Sequence, residues 1–283
     1  MQINLAKSAG FCFGVKRALK IALDTAKLDK SVCMLGDIVH NEEVVKLITK
    51  SGIRKVKRLG RGKGKTLIIR AHGTCKKTLL KAKKLGYKVI DATCPMVKET
   101  HKIAKSAEKK GFRVIIIGDK NHDEVHGIAG QLGKKAIIID GSEDTLLDNI
   151  AKIEKACVVV QSTQNLDKVE ETMKIIRSKV KNVKFYNTIC RPTTIKQDEI
   201  KKMPLDNEMM IIIGSRNSAN TKRLFEISKR LNKKSYWIDS KNEIKKGWFK
   251  NVRSVGITAG ASTPEPVIKA IINHIRNYKY LSR

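Results

Sequence analysis

The chain's 283 residues, 41% hydrophobic and 30% charged, form an ordinary globular mixture that can bury a substantial core, with about two domains expected from size. A net charge of +32 raises nucleic acid as a partner, but aromatic residues for base stacking are only 5% and lysine is spread over the whole length. Nucleic-acid binding is therefore set aside for a mainly solvated lysine-rich surface, with attraction of an anionic substrate or an acidic electron-donor protein as the alternative.

Apolar runs such as 114–117 fall far short of the roughly 20 residues that cross a bilayer, and residues 1–7 read as a strand rather than a leader. A cytoplasmic protein with no membrane association is expected. From the N-terminus onward, three segments then share one layout, the signature to seek before any other. The first has a β-type run at 3–6, Gly10-Phe11-Cys12, a helical stretch, and a strand at 32–36 that ends in Gly36. His40 stands four positions further and Glu42 two beyond it, and a later β-rich run at 67–71 leads into His72.

The second segment has a run at 88–91, Ala92-Thr93-Cys94, a helix opened by Pro95, and a strand at 114–118 ending in Gly118. His122 and Glu124 follow, and a run at 156–160 enters Gln161-Ser162-Thr163. The third has a run at 183–186, Thr188-Ile189-Cys190, a helix opened by Pro192, and a strand at 210–214 ending in Gly214. Ser218 and Asn220 follow, and a run at 255–258 enters Gly260-Ala261-Ser262. Proline suits a first helical turn because it has no amide hydrogen to leave unpaired.

In all three copies, 24 positions separate the cysteine from the glycine, a coincidence too regular for a single chance match. Alternating strands and helices predict α/β units with parallel sheets, whose ligand groups lie at the carboxyl ends of strands. The chain is thus read as three similar α/β modules, 1–87, 88–182 and 183–283, each offering one cysteine and several polar groups after its strands.

Six cysteines without any CxxC pair exclude zinc ribbons and thioredoxin-type motifs, so a metal site must be assembled from distant residues. Cys12, Cys94 and Cys190, at matching helix starts where the dipole favours thiolate, are the candidates. Three thiolates suit zinc with a fourth ligand, or an iron–sulfur cluster with one iron left open, and spacing alone does not separate them. Cys33 and Cys157 lie inside β-type runs and Cys75 has no counterpart, so these are read as ordinary residues, as are His101, His126 and His274.

His122-Asp123-Glu124 offers an imidazole and a carboxylate at the shared positions, and His40 with Glu42 is similar. A carboxylic acid beside a bound anion could deliver a proton, and the imidazole, hydroxyl and amide groups suit an anion. Gly60-Arg61-Gly62-Lys63-Gly64-Lys65-Thr66 imitates the end of a phosphate-binding loop, but Leu59 replaces its first glycine and a strand follows instead of a helix. A nucleoside triphosphatase is rejected.

At these residues the sequence resembles the 4-hydroxy-3-methylbut-2-enyl diphosphate reductase (IspH, LytB) family. The matching segments are Gly10–Val15, Val39–Asn41, Ala71–Gly73, Asp91–Pro95, His122–Val125, Gln161–Thr163, Ser215–Ser218 with Asn220, and Thr258–Ser262, spread over the whole chain. The resemblance implies a pseudo-threefold trefoil of the three modules around one [4Fe-4S] cluster, with Cys12, Cys94 and Cys190 as ligands and one open iron. It implies a two-electron, two-proton reductive loss of the substrate's allylic hydroxyl, giving isopentenyl and dimethylallyl diphosphate at the last step of the methylerythritol phosphate pathway.

By the same carry-over Glu124 is the proton source. His40, His72, His122, Ser162, Ser218, Asn220 and Ser262 contact the substrate, and a ferredoxin or flavodoxin donates electrons. Two departures stand out: Ser162 where threonine is usual, and Ala219 where a second serine is common. Two other readings use the same residues, a structural zinc protein that binds nucleic acid and a cluster-containing hydro-lyase without net electron transfer.

Overall fold

The computed structural model describes residues 1–141 and 150–278. The short β-branched runs of the sequence become twelve strands among the described residues, and every pairing between them is parallel. They form three four-stranded sheets. The first holds β2 (Val32–Leu35), β3 (Arg54–Val56), β4 (Thr66–Ile69) and β5 (Lys88–Asp91) in the order β3-β2-β4-β5. The second holds β6 (Arg113–Ile117), β7 (Ile137–Ile139), β8 (Lys155–Val160) and β9 (Asn182–Phe185) in the order β7-β6-β8-β9. The third holds β10 (Met209–Ile213), β11 (Ser235–Ile238), β12 (Ser254–Ala259) and β1 (Gln2–Leu5) in the order β11-β10-β12-β1.

The three orders are the same, so the repeat is a repeat of topology. Its phase differs from the one expected. The strand that leads into each cysteine pairs with the preceding sheet: β5 closes the first, β9 the second, and the N-terminal β1 closes the third. Divisions at 87/88 and 182/183 therefore separate β5 and β9 from the sheets they complete. A period can be counted along a chain, but a cyclic repeat carries no mark of where its unit begins.

Inner strands are apolar on both faces, as crossover helices require: β4 and β10 are buried throughout, whereas the edge strand β5 is exposed at both ends. In the second sheet the period of two sorts neighbours onto opposite faces. Ile115, Ile117, Val158 and Val160 join one apolar cluster; Val114, Ile116, Cys157 and Val159 join the other. Cys157 and Cys33 are thus core residues, and burial pushes the Cys157 thiol up to about 11.

Among the described residues there are nine α-helices: α1 (Phe13–Leu28), α2 (Glu42–Lys50), α3 (Lys76–Lys84), α4 (Pro95–Lys109), α5 (Asp123–Ala129), α6 (Leu166–Lys179), α7 (Arg191–Asp206), α8 (Ala219–Leu231) and α9 (Glu265–Tyr278), the last following β12. Among the described residues no helix is long and apolar enough to cross a membrane. The chain gathers into two compact units. One comprises Met1–Lys16, His40–Lys46 and Arg191–Arg283 and carries the third sheet; the other comprises Arg17–Val39 and Leu47–Cys190 and carries the first and second.

Candidate active site

Each sheet builds the same loop cluster at the carboxyl ends of its strands. After β4, β8 and β12 the chain makes one turn, closed by Gly73 N–H to the Arg70 carbonyl, Gln164 N–H to Gln161, and Thr263 N–H to Gly260, each 3.0 Å. The second residue of that turn takes the amide of a cysteine: Cys94 N–H donates to the Ala71 carbonyl at 2.9 Å, Cys190 N–H to Ser162 at 3.0 Å, and Cys12 N–H to Ala261 at 3.2 Å. Cys12, Cys94 and Cys190 thus occupy one equivalent place in their respective sheets, between an edge strand and a helix start. All three are half-buried and none is in a disulfide. Three such thiols are a donor set that suits a soft, thiolate-held metal group.

In the unit bearing the first two sheets, His72, His122, Glu124 and Ser162 come together. His122 is the N-cap of α5, its Nδ1 accepting the Glu124 N–H at 3.2 Å. An accepting Nδ1 leaves the Nε2 proton available for another acceptor. The His72 ring meets the His122 ring edge-on, with centroids 5.4 Å apart. Glu124 is 1% exposed, and its Oε1 accepts the Ser162 N–H at 2.6 Å while its Oε2 accepts the Ser162 Oγ–H at 2.8 Å. Burial pushes the Glu124 carboxyl above the usual carboxylate range, against the downward pull of these two bonds. Glu124 is therefore no helix cap. It is a buried acid held by one serine, which also receives Cys190 on its carbonyl.

Gly118 makes this packing possible. A Cβ there would stand 2.7 Å from the Val125 side chain and 2.8 Å from Gln161 Cβ, and Val125 adjoins Glu124 in α5.

In the other unit, Ser218 caps α8, its Oγ accepting the Thr221 N–H at 3.3 Å. Asn220 is 4% exposed, and its side-chain nitrogen has no hydrogen-bond partner among the described residues. Ser262 Oγ donates to the His40 carbonyl at 3.2 Å. A helix N-terminus beside a buried amide donor and a hydroxyl is an anion-binding arrangement.

One alignment changes. In the first copy the N-cap is Asn41, whose Oδ1 accepts the Val44 N–H at 3.1 Å, so Asn41, His122 and Ser218 are the equivalents and His40 precedes its slot by one residue. Glu43, not Glu42, then matches Glu124, and it is exposed and paired to Lys46 at 2.7 Å. In the turns after β4, β8 and β12, Thr163 stands at the place of His72 and Ser262. Two residues that the sequence did not single out, Arg70 and Asp123, form an ion pair beside the histidines. Opposite charges next to two motif positions were the one available signal.

Comparison with known proteins agrees along the whole chain. The family model described as LytB protein matches residues 3–276. The 4-hydroxy-3-methylbut-2-enyl diphosphate reductase of Aquifex aeolicus is 40% identical over 280 residues, covering 98% of this chain and 96% of that protein. The same enzyme of Campylobacter jejuni is 38% identical over 282 residues, covering 99% of each. A solved (E)-4-hydroxy-3-methyl-but-2-enyl diphosphate reductase, the terminal enzyme of the non-mevalonate pathway, is 39% identical with a TM-score of 0.73 over 98% of this chain and all of that one. The corresponding reductase of Plasmodium falciparum, 28% identical, superposes with a TM-score of 0.88 over 96% of this chain and 87% of that one. With equivalent cysteines in all three sheets and full-length matches to these enzymes, the chain belongs to the LytB family of 4-hydroxy-3-methylbut-2-enyl diphosphate reductases.

Proposed function

We propose that this chain reduces 4-hydroxy-3-methylbut-2-enyl diphosphate to isopentenyl and dimethylallyl diphosphate. Two electrons and two protons enter, the allylic C–O bond breaks, the hydroxyl leaves as water with one proton, and the second proton ends on the allylic carbon skeleton. Cys12, Cys94 and Cys190 are the ligands of a [4Fe-4S] cluster, which when bound supplies one-electron transfers and one iron without a protein ligand.

The carrying observation is Glu124, a buried carboxyl whose proton affinity is raised by desolvation and whose two oxygens are fixed by Ser162. A carboxylic acid in water gives up its proton well below neutral pH; burial raises the proton affinity of this one, which suits it to deliver a proton to the leaving hydroxyl. His40, His72 and His122 with Ser218, Asn220 and Ser262 supply donors for the diphosphate. The electrons come from a ferredoxin or flavodoxin in the cytoplasm, a small acidic protein for which a chain of charge +32 is a complementary partner.

The test is anaerobic purification followed by assay of the allylic diphosphate with a chemical reductant. The expected result is brown protein with about four irons per chain and conversion to both diphosphate products only when reductant is present. Colourless protein with stoichiometric zinc, or turnover that needs no reductant, would reject the proposal.

A further inference from the structure

Arg70 leaves the end of β4 two residues before His72, and Asp123 opens α5 between His122 and Glu124. Their side chains meet in a two-pronged ion pair, Nη1 to Oδ2 at 2.6 Å and Nη2 to Oδ1 at 2.7 Å, with 20% and 29% of the side chains exposed. Two parallel charge-assisted bonds between a planar guanidinium and a carboxylate fix distance and rotation together, which a single lysine contact does not.

Three further observations show that the pair is built for a task beyond its own loop. Gly36, at φ +77°, makes room for it: a Cβ there would sit 2.8 Å from Arg70 Nη1. The repeat does not ask for arginine, since the equivalent Gln161 stays within its own sheet, accepting the N–H of Asp119 after β6 at 2.9 Å, and the third copy has Gly260. Finally, the far end of α5 is tied to the same loop. Gly130 O accepts the Lys76 N–H at 3.0 Å, and Gln131 Nε2 donates to the Thr74 carbonyl at 2.8 Å. A helix of seven residues is thereby pinned at both ends to the segment that carries His72.

We infer that Arg70 and Asp123 are a positioning pair that sets His122 and Glu124 against His72. This rests on the reading that these histidines hold the diphosphate and that Glu124 delivers the proton. The pair binds no substrate itself. It removes the rotational freedom of the α5 start, where the His122 cap and Glu124 lie one residue to either side of Asp123. A displacement of about 1 Å in such a constellation is enough to cost up to about a hundredfold in rate.

The experiment compares cluster-loaded wild type with Arg70→Met, Asp123→Asn and the double variant. It reads kcat and KM for the allylic diphosphate, the dissociation constant of inorganic pyrophosphate, and the melting temperature. Each single change is expected to raise KM and the pyrophosphate constant about tenfold and to lower kcat less. The double variant is expected to match the worse single one, because the second change removes an interaction already broken. Arg70→Lys, which keeps charge and loses the fork, should fall between wild type and Arg70→Met.

If the effect were net charge alone, Arg70→Met would weaken pyrophosphate binding and Asp123→Asn would tighten it. Opposite signs would overturn the inference. So would a lower melting temperature with KM, kcat and pyrophosphate affinity unchanged, or single effects that add in the double variant. Lack of wild-type turnover would sink the functional reading instead, while the pyrophosphate cycle would still report on the pair.

Discussion

Replacing Glu124 by glutamine separates its proton from its shape. The Glu124 carboxyl has two contacts, the Ser162 N–H at 2.6 Å and the Ser162 Oγ at 2.8 Å. A glutamine can set its carbonyl oxygen against the N–H and its NH2 against Oγ, because a serine hydroxyl turns and accepts. Both bonds can survive at a loss of about 1 kcal/mol, offset by removing a carboxyl that burial disfavours in its charged form.

The fold and the metal content should therefore persist. What disappears is the titratable proton, worth about 10²- to 10⁴-fold in general-acid catalysis. The expectation is a kcat at least about a hundredfold lower, roughly 2.7 kcal/mol at the transition state, with KM changed little. Anaerobic single-turnover kinetics on iron-quantified protein is the assay.

Linkage adds an independent reading. The folded-state pKa of Glu124 is raised above its unfolded value, so the native state holds the proton more tightly. Stability is unpenalised below the usual carboxylate range and falls as pH rises from there through the raised value. Glutamine abolishes that fall, so the variant should gain on wild type as pH increases. Near-wild-type turnover in a cluster-replete variant, or a stability difference that does not change with pH, would refute the reasoning.

Changing Cys12, Cys94 or Cys190 to serine should each abolish visible colour and bound iron, while Cys33→Ala, in the first sheet's apolar cluster, should keep both and cost about 1–2 kcal/mol in denaturant unfolding. Ser162→Ala removes a bond that pulls the Glu124 carboxyl down, so the alkaline limb of the kcat profile should move to higher pH; an unmoved limb would detach Ser162 from the acid. Asn220→Asp exchanges a buried amide donor for a second carboxylate and should weaken pyrophosphate binding by more than about tenfold in calorimetry, with Asn220→Ala weakening it less.

Much of this architecture is visible in the sequence because parallel α/β units force their signals into register. Val and Ile runs mark the inner strands, and the 24-residue interval from cysteine to glycine survives since strand, helix and turn lengths are coupled through the sheet. Two things were not visible. The pairing of β5, β9 and β1 with the preceding sheet depends on crossovers, and hydropathy is blind to which neighbour a strand chooses. The extra residue before Asn41 is equally silent, because His40 and Asn41 are both polar and only the hydrogen bond to Val44 shows which one caps α2. Counting from Gly36 therefore lands on the right neighbourhood and the wrong slot. The Arg70–Asp123 pair lies further beyond reach, since its partners are 53 positions apart and the other copies lack it.

The corrected alignment changes how the copies divide their labour. The residue two after each N-cap is Glu43, Glu124 or Asn220, and these three slots have different surroundings. Glu43 is exposed and paired to Lys46, so its charge faces solvent. Glu124 is buried against Ser162, which raises its proton affinity and fixes its direction. Asn220 is equally buried but carries an amide whose nitrogen lacks an acceptor among the described residues.

A reaction that binds a multiply charged anion and protonates one leaving group needs this asymmetry. A second buried carboxylate would repel the diphosphate and compete for the proton, whereas an amide donates to the anion at any pH. Symmetry serves the cysteines, which make equivalent backbone bonds in all three sheets. On the proposed reading the acid is the product of broken symmetry. Transplanting it should fail accordingly: Glu124→Asn combined with Asn220→Glu keeps composition and net charge, yet should leave turnover at the level of Glu124→Asn alone. Restored activity in that exchange would show that the two slots are interchangeable and that the Ser162 bonds do not select the proton donor.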